Sequence, residues 1–147
     1  MYLWNHTDPK RDGALDTCIL VHEYTHGLTN RLAGGGTALC LQTKEAGGMG
    51  EGWGDAMAEW ADLETDEVPD YVFGAYAADQ SGGIRTVPYS IDHSVNPLMY
   101  STIQQLDEVH SMLLLSALHS ASSAQSSFRN RRSVGDHTPW CSNQLST

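Results

Sequence analysis

Apolar positions along this 147-residue chain change their period from one segment to the next. Cys18, Ile19, Leu20 and Val21 form an apolar run, and Leu28 and Leu32 continue it at helical spacing. Asp16 and Thr17 stand where helix-capping residues belong. Arg31 falls in what would be the last turn, where a cation suits the helix dipole, and Gly34-Gly35-Gly36 stops the pattern. A helix is therefore predicted over about residues 16–33. A second is predicted from Glu51 through Trp60, with Met57 and Trp60 as candidates for core packing. Ile103, Leu106, Val109 and Leu113 recur at helical spacing and suggest a third, amphipathic stretch. The glycine clusters at 34–36, 47–50 and 82–83 read as loops or helix boundaries. No internal repeat is visible.

Composition divides the chain at His110. Residues 111–147 hold 10 Ser and one Gly, whereas residues 1–110 hold 13 of the 14 Gly. The formal charge of −10 divides there too, with five Lys/Arg against 17 Asp/Glu before residue 111 and three against one after it. The first part reads as one domain (1–110). The second reads as a divergent, Ser-rich tail (111–147), expected to be disordered or out of frame. The acidic first part argues against nucleic-acid binding. No apolar run is long enough to span a membrane, and no secretory signal is visible at the start. The dense acidic run Asp62 to Glu67 reads as a solvated surface. Calcium is a further candidate ligand for some carboxylates, although no EF-hand loop is present. Three cysteines, Cys18, Cys40 and Cys141, allow one disulfide and one thiol, with no basis for choosing a pair.

The chemistry concentrates in His22-Glu23-Tyr24-Thr25-His26. Two His four apart on a helix share a face, with Cβ atoms about 6 Å apart, so both imidazoles can reach one tetrahedral metal ion. Glu23 is then placed to act on a water, and H-E-x-x-H is a zinc-hydrolase signature. A solvated helix face is the alternative for so short a motif. A catalytic zinc takes a third protein ligand. Thr29 and Leu32 exclude the metzincin pattern, which needs Gly and His there. A carboxylate on a following helix is the other arrangement, and Glu51 supplies it. Asp55, one turn further on, can accept a hydrogen bond from a ligand His and fix its tautomer. An ordinary acidic helix is the alternative, since Glu59, Asp62 and Glu64 follow.

Several stretches together resemble the fungalysin family of secreted fungal metallopeptidases: Met1 to Asn5, Arg11 to Asp16, His22 to Leu32, Gly47 to Asp55, Gly83 to Ser90, and Asn96-Pro97 with Tyr100. The resemblance runs to about residue 110. It implies a mainly α, partial thermolysin-like zincin catalytic domain, with the N-terminal β part and the C-terminal helical part missing. It implies one catalytic Zn2+ held by His22, His26 and Glu51, with Glu23 as general base and Asp55 as the His-orienting carboxylate. His110 resembles a transition-state donor, its alternative being a surface His on an amphipathic helix. Arg85 resembles an Arg that holds a substrate carbonyl, while Tyr89 and Tyr100 read as structural. The family usually has Ser where this chain has Gly54, a change expected to loosen the helix presenting Glu51. The implied function is secreted, zinc-dependent endopeptidase activity on proteins or peptides, from a zymogen whose own propeptide is a partner. The alternative is a truncated, inactive zinc-binding fragment, with the tail after His110 arising from a frameshift or mis-splicing. An aminopeptidase would need a motif for a free N-terminus, which the chain does not offer.

Overall fold

The computed structural model describes residues 3–63, 69–99 and 101–102. Strands β1 (Leu3–Trp4) and β2 (Arg11–Asp12) pair antiparallel, with Leu3 opposite Asp12 and Trp4 opposite Arg11. The Asp12 carboxylate caps the following 3-10 turn, Gly13–Leu15, by accepting from the Ala14 N–H at 2.9 Å. Among the described residues three α-helices follow: α1 (Thr17–Leu32), α2 (Lys44–Asp62) and the short α3 (Ala75–Ala78). The architecture is mainly α, as the sequence predicts.

α1 matches its predicted span to within a residue at each end. Asp16 takes the N-cap position, but its carboxylate makes no cap bond. Instead it accepts from the Cys18 thiol and from the Ala77 N–H, both at 2.9 Å, and so ties the start of α1 to α3. The buried thiol is pushed up to about 12, chiefly by burial and then by the Asp16 carboxylate. Arg31 donates to the Gly27 carbonyl at 3.0 Å, close to the helix end where a cation is favoured.

The apolar pattern on α1 does not mark its buried side. Leu20, Tyr24, Leu28 and Leu32, four apart, are 46%, 69%, 38% and 83% exposed. The buried side carries Cys18, Ile19, His22 and Thr25. The Thr25 hydroxyl is satisfied by the Val21 carbonyl at 2.8 Å, so it is buried without an orphaned donor.

α2 corrects the sequence reading twice. It begins at Lys44, seven residues before Glu51, behind an N-cap in which the Thr43 hydroxyl accepts from the Ala46 N–H at 3.2 Å. The 47–50 glycines therefore lie within the helix rather than at its boundary. Each glycine in a helix costs about 1 kcal/mol relative to Ala. Here Gly48, Gly50, Gly52 and Gly54 are buried, so tertiary packing overrides propensity. Trp60 is also not a core residue, being 61% exposed; the core position on this part of α2 is Ala58.

The core gathers Cys18 and Ile19 of α1, Ala58 of α2, and Phe73, Ala77 and Tyr89 from the segment that follows. That segment is braced by a bridge in which Tyr71 and Tyr89 exchange backbone hydrogen bonds of 2.8 Å. Gly83 has φ +70°, and a Cβ there would run into the Phe73 carbonyl oxygen, so only glycine fits this turn. Arg11 ties β2 to α3, donating to the Tyr76 carbonyl at 2.7 Å and to the Asp79 carboxylate at 2.6 Å. Cys18 and Cys40 are free thiols, and Cys141 lies outside the described residues.

Candidate metal centre

α1 and α2 pack side by side and bring four of the sequence-identified residues together. His22 and His26 lie one turn apart on α1 with ring centroids 4.5 Å apart and planes at 90°. Glu51 of α2 faces both. Its Oε2 is 3.1 Å from His22 Nε2, and its Oε1 is 3.3 Å from His26 Nε2. One ligand atom from each of His22, His26 and Glu51 lies within 4.8 Å of the other two. Among the described residues this is the group whose His, Cys, Asp or Glu side chains converge in this way.

Asp55, one turn along α2 from Glu51, is fully buried, and its Oδ1 lies 2.6 Å from His22 Nδ1. Burial opposes a carboxylate there, but the His22, Arg85 and Tyr89 donors outweigh it and hold the carboxyl below its ordinary value. Because Nδ1 donates to Asp55, a neutral His22 turns the lone pair of Nε2 toward Glu51. Two lone-pair atoms 3.1 Å apart repel unless a cation sits between them or the ring is protonated. Burial lowers the His22 pKa, yet the Asp55 and Glu51 carboxylates win and raise it to about 9. The site thus demands a positive charge. Two imidazoles and a carboxylate with an oriented tautomer fit a catalytic divalent zinc, which uses three protein ligands.

Arg85 also reaches the site, through Asp55. Its Nε donates to Oδ2 and its Nη2 to Oδ1, each at 2.8 Å, while the guanidinium lies over the Phe73 ring, 4.6 Å from its centroid. Tyr89, read from sequence as structural, donates its hydroxyl to Asp55 Oδ2 in a short hydrogen bond. No local signal could have found this contact, because Tyr89 is 34 residues from Asp55 and on no shared helix. Glu23 follows His22 on α1 and is exposed. His110 lies outside the described residues.

Gly54 does not loosen α2, which runs unbroken through it. A Cβ at this position would lie 2.5 Å from His22 Nδ1, 2.8 Å from Cε1 and 2.9 Å from Cγ. Its missing side chain is the space that the imidazole occupies.

The chain is similar in sequence to known metallopeptidases. The fungalysin metallopeptidase (M36) profile matches residues 1–115. The extracellular metalloproteinase mep of Aspergillus flavus is 48% identical over 115 residues, which cover 76% of this chain and 18% of that protein. Extracellular metalloproteinase 9 of Coccidioides posadasii and extracellular metalloproteinase 2 of Trichophyton rubrum are each 50% identical over 113 residues, again covering 18% of their lengths. The chain therefore spans about a fifth of the curated relatives it matches. With the H-E-x-x-H helix and its Glu51 partner inside a match that covers most of its residues, this chain belongs to the fungalysin metallopeptidase family.

Proposed function

We propose that this chain carries the zinc-binding core of a secreted endopeptidase, with His22, His26 and Glu51 as the metal ligands. The observation that carries the reading is the convergence of those three side chains with Asp55 behind His22. Zinc, when bound, supplies Lewis acidity that brings the pKa of a water to about 7. Glu23 accepts the proton of the attacking water and passes it to the leaving amine, the role of a positioned general base and acid. Asp55 keeps the His22 ring in the tautomer and orientation that a ligand needs. Arg85 has committed Nε and one N–H of Nη2 to Asp55, and the rest of its five donors are what a substrate carbonyl would use. His110 takes the part of a donor to the developing oxyanion. The substrates are proteins or peptides. Secretion is supported by relatives named as extracellular metalloproteinases, and no helix of the described residues is long and apolar enough to cross a membrane.

The test is metal content beside casein hydrolysis for the wild type and Glu23→Gln. Bound zinc with turnover, and loss of turnover but not of zinc in Glu23→Gln, is expected. Normal hydrolysis by Glu23→Gln would falsify the mechanism. A second reading is supported by the 18% share of its relatives that the chain spans: a zinc-binding core that needs further chain to cleave. Stoichiometric zinc without turnover is its signature.

A further inference from the structure

The Asp55 carboxylate has as many donors as it can accept. A carboxylate offers about four lone-pair sites. Oδ1 receives His22 Nδ1 at 2.6 Å and Arg85 Nη2 at 2.8 Å; Oδ2 receives Arg85 Nε at 2.8 Å and the Tyr89 hydroxyl. Asp55 is 0% exposed, so no solvent molecule can readily replace a lost donor.

Tyr89 is unusually well fixed for this task. Its backbone exchanges 2.8 Å hydrogen bonds with Tyr71, its side chain belongs to the core beside Phe73, and it is 3% exposed. The preceding residue is also braced, because Asn96 Nδ2 donates to the Pro88 carbonyl at 3.1 Å. Burial and the Asp55 charge raise the phenol well above its ordinary value, so it stays a donor.

We propose that Tyr89 is a positioning residue of the metal site: its hydroxyl sets the orientation of the Asp55 carboxylate, and through it the His22 imidazole. Without that hydroxyl, Oδ2 keeps only Arg85, and the carboxylate turns about its Cβ–Cγ bond to rebalance its contacts. The His22 Nδ1–Oδ1 line then moves with it. The inference rests on the reading of His22, His26 and Glu51 as ligands.

The experiment compares the full chain with Tyr89→Phe and His22→Ala. Zinc affinity is measured by chelator competition, and the visible spectrum is recorded after cobalt substitution. Tyr89→Phe, which keeps the ring in the core, is expected to bind zinc about 10-fold or more weakly and to shift the cobalt bands. Wild-type affinity with an unchanged cobalt spectrum overturns the inference even if the melting temperature falls, since the hydroxyl then serves stability alone. Wild-type affinity in His22→Ala overturns the ligand reading itself, and this inference with it. If Tyr89→Phe does not fold, a fluorotyrosine placed at position 89 decides: with a stronger donor and the same ring, it should bind zinc at least as tightly, and a 10-fold loss sinks the idea.

Discussion

Glu59 stands one turn beyond Asp55, 4% exposed, and its Oε2 has no hydrogen-bond partner among the described residues. Burial, and secondarily the Asp55 charge, raise its pKa to about 7. The folded state therefore holds a proton on Glu59 over a range where the unfolded chain, ionising near its ordinary 4.5, has released it. Stability from this group is present below that lower value and is lost as pH rises through about 7. Glu59→Gln removes the ionisation and keeps the shape. The variant should match the wild type near pH 4 and exceed it at pH 8 by about 2–3 kcal/mol, since each unit of pKa difference between folded and unfolded chain is worth about 1.4 kcal/mol. Urea midpoints at the two pH values check this, and equal differences at both would show that Glu59 does not titrate in the fold.

At the scale of elements, α2 packs against its neighbours through glycines, Gly54 against His22 of α1 and Gly50 against Leu41. Gly50 and Gly54 lie on one side of α2, yet their surroundings differ. A Cβ at Gly50 would meet the Leu41 methyl groups at 3.6 and 3.7 Å, ordinary van der Waals contact. Gly50→Ala should therefore collect the helix-propensity gain, up to about 1 kcal/mol. Gly54→Ala gains the same but drives a methyl into the His22 ring, an overpacking cost of about 1–3 kcal/mol. The two substitutions should move the melting temperature in opposite directions, and Gly54→Ala alone should weaken zinc binding. A rise in both melting temperatures would mean that His22 has room to yield.

Among the described residues, the molecule is held by a small core and a few long-range ties. Apolar burial rests on Cys18, Ile19, Ala58, Phe73, Ala77 and Tyr89, while Leu20, Tyr24, Leu28 and Leu32 stay in solvent. A cation shared by α1 and α2 would therefore supply a large part of the stability. A ligand bound only to the folded state stabilises it by about 4 kcal/mol at 1,000 times its dissociation constant. Chelation of the zinc-loaded chain should lower the melting temperature by several degrees, and added zinc should restore it. A melt insensitive to both would show that the helices are docked without the ion.

The local code was legible where chemistry and periodicity fall within a few turns. The cap, the apolar run and the triple glycine fixed α1 nearly to the residue, and the spacing of His22, Glu23 and His26 put the site on it. Glu51 and Asp55 were readable because they lie one turn apart on the next helix. The start of α2 was not readable, because glycine ordinarily breaks a helix and only the close approach of α1 and Leu41 repays its cost. Nor was the buried side of α1: Leu20, Leu28 and Leu32 carry its apolar pattern yet stay exposed, while His22 and Thr25 face inward. The sequence alone determined the family and the order of the candidate ligands along the chain, because those depend on residue identity and helical spacing. Tertiary structure alone decided that Arg85 and Tyr89 both end on Asp55, 30 and 34 residues away. A hydrogen bond between distant segments depends on how the backbone returns, and no local preference encodes that.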